Sequence, residues 1–499
     1  MPTVEWVGQS LRDDDNVQAN TSRLLNLYRE RHGDKFILKS VLGTSVLIDM
    51  PSVFIRAMAE IGGQLYVANG GKVYRITGGS GETAPYKRIG GEWLPLPSGG
   101  LVVSTLGDGF VLEDDGQPIT YRVGGDVASE AIADINDAAD TTLAGNNGAI
   151  TVAAGGEYYN IAADGTVTTP SNGAFESIGS VSFIGQRTVV TEKDGRRFGW
   201  SDVADSTTFD ALNFATAEYQ DDKIIRGLAI GPQYWIFSER SIEQWYLSGS
   251  ANTSEFLLPV SGAAIDIGLK AFGLISAFPN GAFFVGSDGV VYLVSGGTMQ
   301  PISTRGVETA IAQSTPTNCF FHEDEGHKIC TIRFKDRPAW CFDISNNEWH
   351  ERSEGGDFGA WTATASAKAG KYHFVGSNSG QIRRLERSNR DANKPLFRRA
   401  VSTTLENEGQ RFSINRLQMQ IASGTAAADG RAPEMMLRMS KDRGQTWGKE
   451  RWRDTGALGD YDKLLTLRAL GQFRRATLEA TMSDPADVPM ESTAFLEVS

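Results

Sequence analysis

Two short apolar strands joined by a tight turn containing Gly, Asp or Asn recur eight times between residues 63 and 385, and this repetition constrains the fold more than any other feature. The units are 63–76, 101–114, 149–161, 182–192, 228–247, 281–294, 327–344 and 371–385. Each supplies β-branched and aromatic residues around a turn that favours positive φ. Spacing from turn to turn runs from roughly 30 to 52 residues, near the length of a four-stranded propeller blade. The reading is a mainly β chain whose centre is an irregular β-propeller of six to eight blades, seven as the single best value. A set of ordinary β-sandwiches is the alternative, because hairpins alone do not fix closure.

The composition agrees with a chain folded along its length. With 56 Gly against 17 Pro, 40% apolar and 22% charged residues, the glycines mark turns between short strands. The three cysteines, Cys319, Cys330 and Cys341, share one window, which argues for a reducing compartment over a disulfide framework. The first fifteen residues carry neither a basic start nor an apolar run, so a secretory signal is not expected, and no stretch has the apolar length of a membrane span.

Three regions follow from the texture of the chain. Residues 1–60 read as an arm packing on a platform, with Asn20, Thr21 and Ser22 capping a short helix that presents Leu24, Leu25 and Tyr28 before Gly33 stops it. Residues 61–385 read as the propeller, with an Ala-, Asp- and Asn-rich insertion near 126–148. Residues 386–499 read as a β-sandwich platform, its strands marked at 415–421, 434–439 and 474–482, with Leu417, Met419 and Ile421 alternating onto one face. The net charge of −13 is uneven: residues 383–499 hold 20 basic and 16 acidic residues, so the acidity resides in the first three quarters. Such a body lacks the clustered cations of a sequence-reading DNA binder but suits a wall past which DNA slides.

No catalytic set emerges. Ser440 to Trp447 matches the Asp-box hairpin, which raises a carbohydrate-active or lectin-like propeller as the rival function, yet a glycosidase also needs a convergent acid pair. Cys319, His322, His327 and Cys330 form the densest metal-like cluster; with a turn at 323–326, His322 faces His327 and Cys319 faces Cys330, and residues three apart on a strand point to opposite sides. Asp13, Asp14, Asp15 and Asn16 read as a solvated acidic turn, not a calcium loop. No metal, cofactor or catalytic residue is assigned. The residues favoured as an interface are Arg438, Lys441, Arg443, Trp447, Arg451, Trp452 and Arg453, where Arg and Trp interleave as they do at protein–protein contacts.

Several landmarks carry a family resemblance. Residues 238–249, then Gly268, Leu269 and Lys270, the strand pair 281–294 and the closing stretch 438–482 resemble the tail hub proteins of P22-like short-tailed phages, also called packaged-DNA stabilisation proteins or tail accessory factors. The order of landmarks is similar from the 23–28 arm to the C-terminus. The resemblance implies a non-enzymatic virion protein, made in the host cytoplasm, whose six copies form a nozzle ring below the portal and its head-to-tail adaptor. It also implies a tail needle or plug and tailspikes or fibres as distal partners, and passive contact with translocating double-stranded DNA. The insertion near 126–148 and the acidic body depart from that pattern.

Overall fold

The computed structural model describes the chain except residues 1–2, 13–19, 34, 78–85, 90–91, 96–109, 115–116, 123–126, 163, 171–174, 251, 393 and 425–430. The acidic turn at 13–16 and the first strand of the 101–114 unit therefore lie outside the described residues.

Seven four-stranded antiparallel blades follow one another among the described residues. Blade one comprises Ile55–Ile61, Gln64–Asn69, Lys72–Thr77 and Ala128–Asp134. Blades two to six begin at Thr141, Ile178, Ile224, Ile275 and Pro316, and blade six ends with Glu348–Glu354. Blade seven takes Ala363–Ala369, Tyr372–Ser377 and Gln381–Glu386 from late in the chain, and Gly43–Asp49 from its start. Two-residue turns make the hairpins: Asn147-Gly148 and Glu325-Gly326 both hold positive φ at each position, the geometry that matches strand twist.

Closure is visible in the packing. Each junction between neighbouring blades has its own buried apolar cluster, including the last, where Phe374 and Ile382 of blade seven meet Ile55, Val67 and Ile76 of blade one. Thr364 Oγ1 donates to the Ile55 carbonyl at 2.6 Å across the same junction. A disc closed by apolar contacts on every side leaves only short outer strands as free edges.

The sandwich pairs one sheet of Leu27–His32, Lys35–Ser40, Met490–Val498, Phe412–Ile421 and Leu464–Phe473 with a second of Arg23–Leu25, Arg398–Val401, Arg475–Met482, Glu434–Ser440 and Arg451–Asp454. Trp6, Leu38, Leu417, Met419, Leu437 and Leu478 fill the space between them. The second sheet continues directly from blade six: Leu25 pairs in parallel with Glu351, so propeller and sandwich share one run of backbone hydrogen bonds.

Three sequence expectations are corrected here. Residues 23–32 form two strands, not a helix, because Asn26 at φ 57° turns the chain from one sandwich sheet into the other. Its side chain fixes that corner, with Nδ2 donating to Ser353 Oγ at 3.0 Å and the Phe397 carbonyl at 2.7 Å while Oδ1 accepts from the Ser353 N–H. Residues 43–49 and 55–61, read as arm, are strands of blades seven and one. Residues 128–134 and 141–146 are regular blade strands; the sheet lying between blade strands is that of Tyr86–Ile89, Glu92–Pro95, Phe110–Asp114 and Gln117–Arg122, which separates the third and fourth strands of blade one. Ala, Asp and Asn at 127–148 fall on the last strand of blade one, the loop after it, and the first strand and turn of blade two, not on an insertion.

Candidate interface site

The Asp-box sequence folds as its hairpin. Asp442 Oδ1 accepts from the Thr446 N–H at 2.8 Å and from Ser440 Oγ at 2.7 Å, and Thr446 Oγ1 donates to Oδ2 at 2.5 Å. These donors hold the Asp442 carboxyl down at about 2, so it is ionised and fully committed to the turn. Arg443 and Gly444 adopt φ 58° and 80°, and the Gly444 N–H donates to Ser440 Oγ at 2.8 Å. The Asp442 carboxylate is a structural tie.

The seven residues favoured from sequence lie on one edge of the sandwich, but most are occupied within the chain. Arg438 binds Glu479 at 2.7 Å and stands over the Trp447 ring at 5.0 Å. Glu479 is itself buried and also held by Arg399. Arg443 binds Glu406 at 3.1 Å, and Lys441 lies over Phe473 at 5.2 Å. Arg451 donates to the Arg468 carbonyl at 2.9 Å, and Arg453 to the carbonyls of Thr466 and Trp452. Those two guanidiniums stitch the edge strand 451–454 of one sheet to 464–473 of the other.

Trp452 alone among the seven is a large exposed apolar side chain, 51% accessible. Leu458, Tyr461 and Leu464 are also exposed apolar residues; sequence reasoning missed the first two because they sit in a Gly- and Asp-rich loop that reads as ordinary turn, and Leu464 because it opens the next strand. The signal was two large apolar residues in a segment with no packing period.

The Cys and His cluster does not converge. The hairpin register places Asp324 opposite His327, His322 opposite Ile329, Cys330 opposite Phe321 and Cys319 opposite Ile332. The turn is the pair Glu325-Gly326 and not the four residues 323–326, so the expected facing of His322 with His327 and Cys319 with Cys330 is replaced by a two-residue offset. The cluster divides among separate surroundings: Cys319 and Cys330 join the core between blades five and six, while His327 Nδ1 meets Asp343 Oδ2 at 2.7 Å.

Asp324 carries a testable consequence of this packing. Burial pushes its carboxyl up to about 6, and its Oδ1 has no hydrogen-bond partner among the described residues. Between the ordinary carboxyl range and that value the folded state binds a proton that the unfolded chain releases, so this residue costs stability as pH rises through the window. Asp324→Asn is expected to stabilise the fold by about 1–3 kcal/mol at pH 8 and by almost nothing at pH 4. Burial holds the His350 imidazole down near 4, an effect of opposite sign, so the difference between variant and wild type in urea unfolding isolates Asp324. Equal gains at both pH values would refute the assignment.

A recess of about 630 Å³ opens on the propeller rim between the outer strands Phe214–Thr216 of blade three and Leu257–Pro259 of blade four. Glu218, Tyr219, Glu243, Trp245 and Val260 line it. Glu243 is buried, and its carboxylate accepts from the Tyr219 N–H at 2.9 Å and from Trp245 Nε1 at 3.2 Å. Desolvation raises its pKa.

The landmarks of the resemblance have structural work nearby. Residues 238–249 cross from the second strand of blade four through its third. A Cβ at Gly268 would stand 2.2 Å from the Glu239 carbonyl carbon and 2.4 Å from the Arg240 nitrogen, so only glycine lets the chain after blade four pass that turn.

A family model described as bacteriophage P22 Gp10, β-propeller, matches residues 119–389, and one described as bacteriophage P22 Gp10, β-sandwich, matches 398–478. The chain belongs to the bacteriophage P22 Gp10 family. Membership makes it a structural protein of the phage tail and a virion component. The two matched regions fall on the propeller and the sandwich; blade one and the closing strand of blade seven lie largely before the first of them. None of the curated proteins matches the chain.

Solved structures with a similar course include the computationally designed Ika8 protein (14% identity, 76% of this chain and 100% of that chain, TM-score 0.38). BamB from Moraxella catarrhalis (9%, 77% and 98%, 0.37) and the Cps50 (Swd1) propeller domain from Myceliophteria thermophila (7%, 69% and 99%, 0.40) are similar in the same way. Among the described residues, no helix is long and apolar enough to cross a membrane.

Proposed function

We propose that the chain is the subunit of a hexameric tail hub or nozzle, a ring below the portal's head-to-tail adaptor that extends the DNA channel, helps retain packaged DNA and seats the needle or plug and the tailspikes or fibres. The continuous sheet from blade six into the sandwich supports this reading most directly. A ring subunit must pass load between its parts, and here backbone hydrogen bonds rather than a flexible linker join them. Family membership supports the tail location. The acidic body suits a wall that repels translocating DNA, and in this reading the protein is non-enzymatic and made in the host cytoplasm.

Cyclic closure needs one patch on a subunit to meet a different patch on the next. The more basic C-terminal region against the acidic propeller meets that requirement, and the association should weaken as salt screens it. Negative-stain imaging of the purified chain, alone and with the adaptor, is expected to show sixfold rings at low ionic strength and their loss at high ionic strength. Persistent monomers that bind a glycan array would overturn the reading in favour of the lectin-like alternative. Rings indifferent to salt would reject its electrostatic part.

A further inference from the structure

Strand Leu27–His32 of the sandwich packs against two turns of blade six, and Asn346 in one of them donates its Nδ2 to the Arg29 carbonyl. Buried in this seam, on either side of the Glu325-Gly326 turn, are Asp324 and His327. His327 stands between two carboxylates: its Nδ1 meets Asp343 Oδ2 at 2.7 Å, and its Nε2 lies 3.9 Å from Glu30 Oε1 of the sandwich strand. Its ring packs edge-on against Tyr28, with 4.9 Å between centroids. Asp324 is 3% exposed, and neither its Oδ1 nor the Tyr28 hydroxyl has a hydrogen-bond partner among the described residues. The other cations of the seam are committed, Arg387 to Glu325, Lys39 to Glu30, and Arg29 to Glu5 and Glu348. His350, 6.0 Å from Tyr28 on the fourth strand of the blade, is held near 4 by burial and is neutral above pH 5.

We propose that this seam is a proton-operated clamp between propeller and sandwich, closed while Asp324 and His327 both hold a proton and parted when both release it, with the sheet join at Leu25 and Glu351 persisting in either state. It concerns a single chain and does not depend on the ring. With both protons on, Asp324 is a neutral acid and the imidazolium bridges Asp343 and Glu30. With both off, the seam carries two more units of negative charge beside Glu30, Glu325 and Asp343, and its cations are already bound. A buried carboxylate regains hydration only where water enters, and water enters by parting strand 27–32 from the blade. The two groups act with one sign. Burial pushes Asp324 up to about 6 against the pull of Arg387, and the hydrogen bond with Asp343 raises the His327 imidazole. Burial raises Glu348 in the same direction. The closed seam therefore keeps protons that the parted one releases, so closure weakens as pH rises, for Asp324 from the ordinary carboxyl range to about 6 and for His327 from the ordinary imidazole range upward.

Hydroxyl-radical footprinting of the full-length chain reads the seam through Tyr28, 2% exposed, with Tyr461, 76% exposed, as the dose reference. Tyr234, fully buried between blades three and four, reports any global unfolding. From pH 5 to pH 8.5, oxidation of Tyr28 relative to Tyr461 is expected to rise about tenfold through the Asp324 proton alone, and further through His327, while Tyr234 stays protected. Asp324→Asn should remove most of that rise. His327→Gln, which takes the cation from between Asp343 and Glu30, should expose Tyr28 already at pH 5. Equal protection of Tyr28 at both pH values would overturn the clamp, as would a rise that Asp324→Asn leaves intact or one that Tyr234 shares. Should His327→Gln fail to fold, Tyr234 reveals it, and the wild-type and Asp324→Asn measurements decide by themselves.

Discussion

Asp391→Ala is expected to lower the unfolding free energy by about 3–5 kcal/mol, because it strands a buried guanidinium without its counter-charge. Asp391 and Arg352 are each 3% exposed and meet at 3.1 Å. Thr44 Oγ1 donates to the other carboxylate oxygen, and Arg352 lies over the Trp361 ring at 4.9 Å. Arg352 belongs to the outer strand of blade six, Thr44 to the strand that completes blade seven, and Asp391 pairs in parallel with Thr44. One ion pair therefore holds the N-terminal closing strand against two successive blades. Thr44→Val, which removes the neutral donor to Asp391 and one of the two acceptors of the Ala392 N–H, should cost about 1 kcal/mol. Adding Arg352→Met to Asp391→Ala should recover much of the loss, since the unpaired charge and not the missing attraction is the larger penalty. Urea unfolding of the three variants checks this; a loss below 1 kcal/mol for Asp391→Ala would show that water reaches Arg352 and that the triad does not lock the strand.

That closing strand also shows where the sequence stops being legible. Hairpins were readable because both strands and the turn lie within about fifteen residues, where alternation and Gly or Asn report directly on local geometry. Seven of the eight recurring units are blade hairpins, legible for the same reason, while the eighth ends in Phe110–Asp114, a strand of the sheet between the third and fourth strands of blade one. Ile48 pairs with Ile382 across the whole propeller, and nothing in either local pattern announces a partner so distant. The arm at 23–32 misled in a different way. Leu24, Leu25, Leu27 and Tyr28 are all buried, a pattern that suits one helical face as well as strands covered on both sides, and only the left-handed Asn26 between them decides.

The candidate site was legible as composition but not as exposure. Interleaved Arg and Trp marked the sandwich edge, yet Arg438, Arg443 and Trp447 turned out to be engaged with Glu479, Glu406 and one another. A sequence shows which cations are present; which of them have already met a carboxylate depends on strands forty residues away. The rim recess was beyond reach altogether, because Glu218 and Glu243 come together only when blades three and four pack.

Glu479 makes the second large prediction, since a single carboxylate there organises the inner margin of the sandwich edge. It is 1% exposed and takes Arg399 on one oxygen and Arg438 on the other, the latter at 2.7 Å. Glu479→Ala leaves Arg399 without its carboxylate and Arg438 with only Glu450, 4.0 Å away. Because each retains some access to water, the expected loss is about 2–4 kcal/mol, below that of a fully enclosed pair. Arg438 also roofs Trp447, so freeing it should change the near-ultraviolet circular dichroism of that tryptophan while the far-ultraviolet signal stays intact. Arg438→Met provides the contrast: Arg399 still neutralises Glu479, the aliphatic replacement still covers Trp447, and the loss should stay near 1 kcal/mol. If Arg438→Met proved as damaging as Glu479→Ala, the carboxylate would not be the organising group, and the Arg438–Trp447 contact would have to carry the edge by itself.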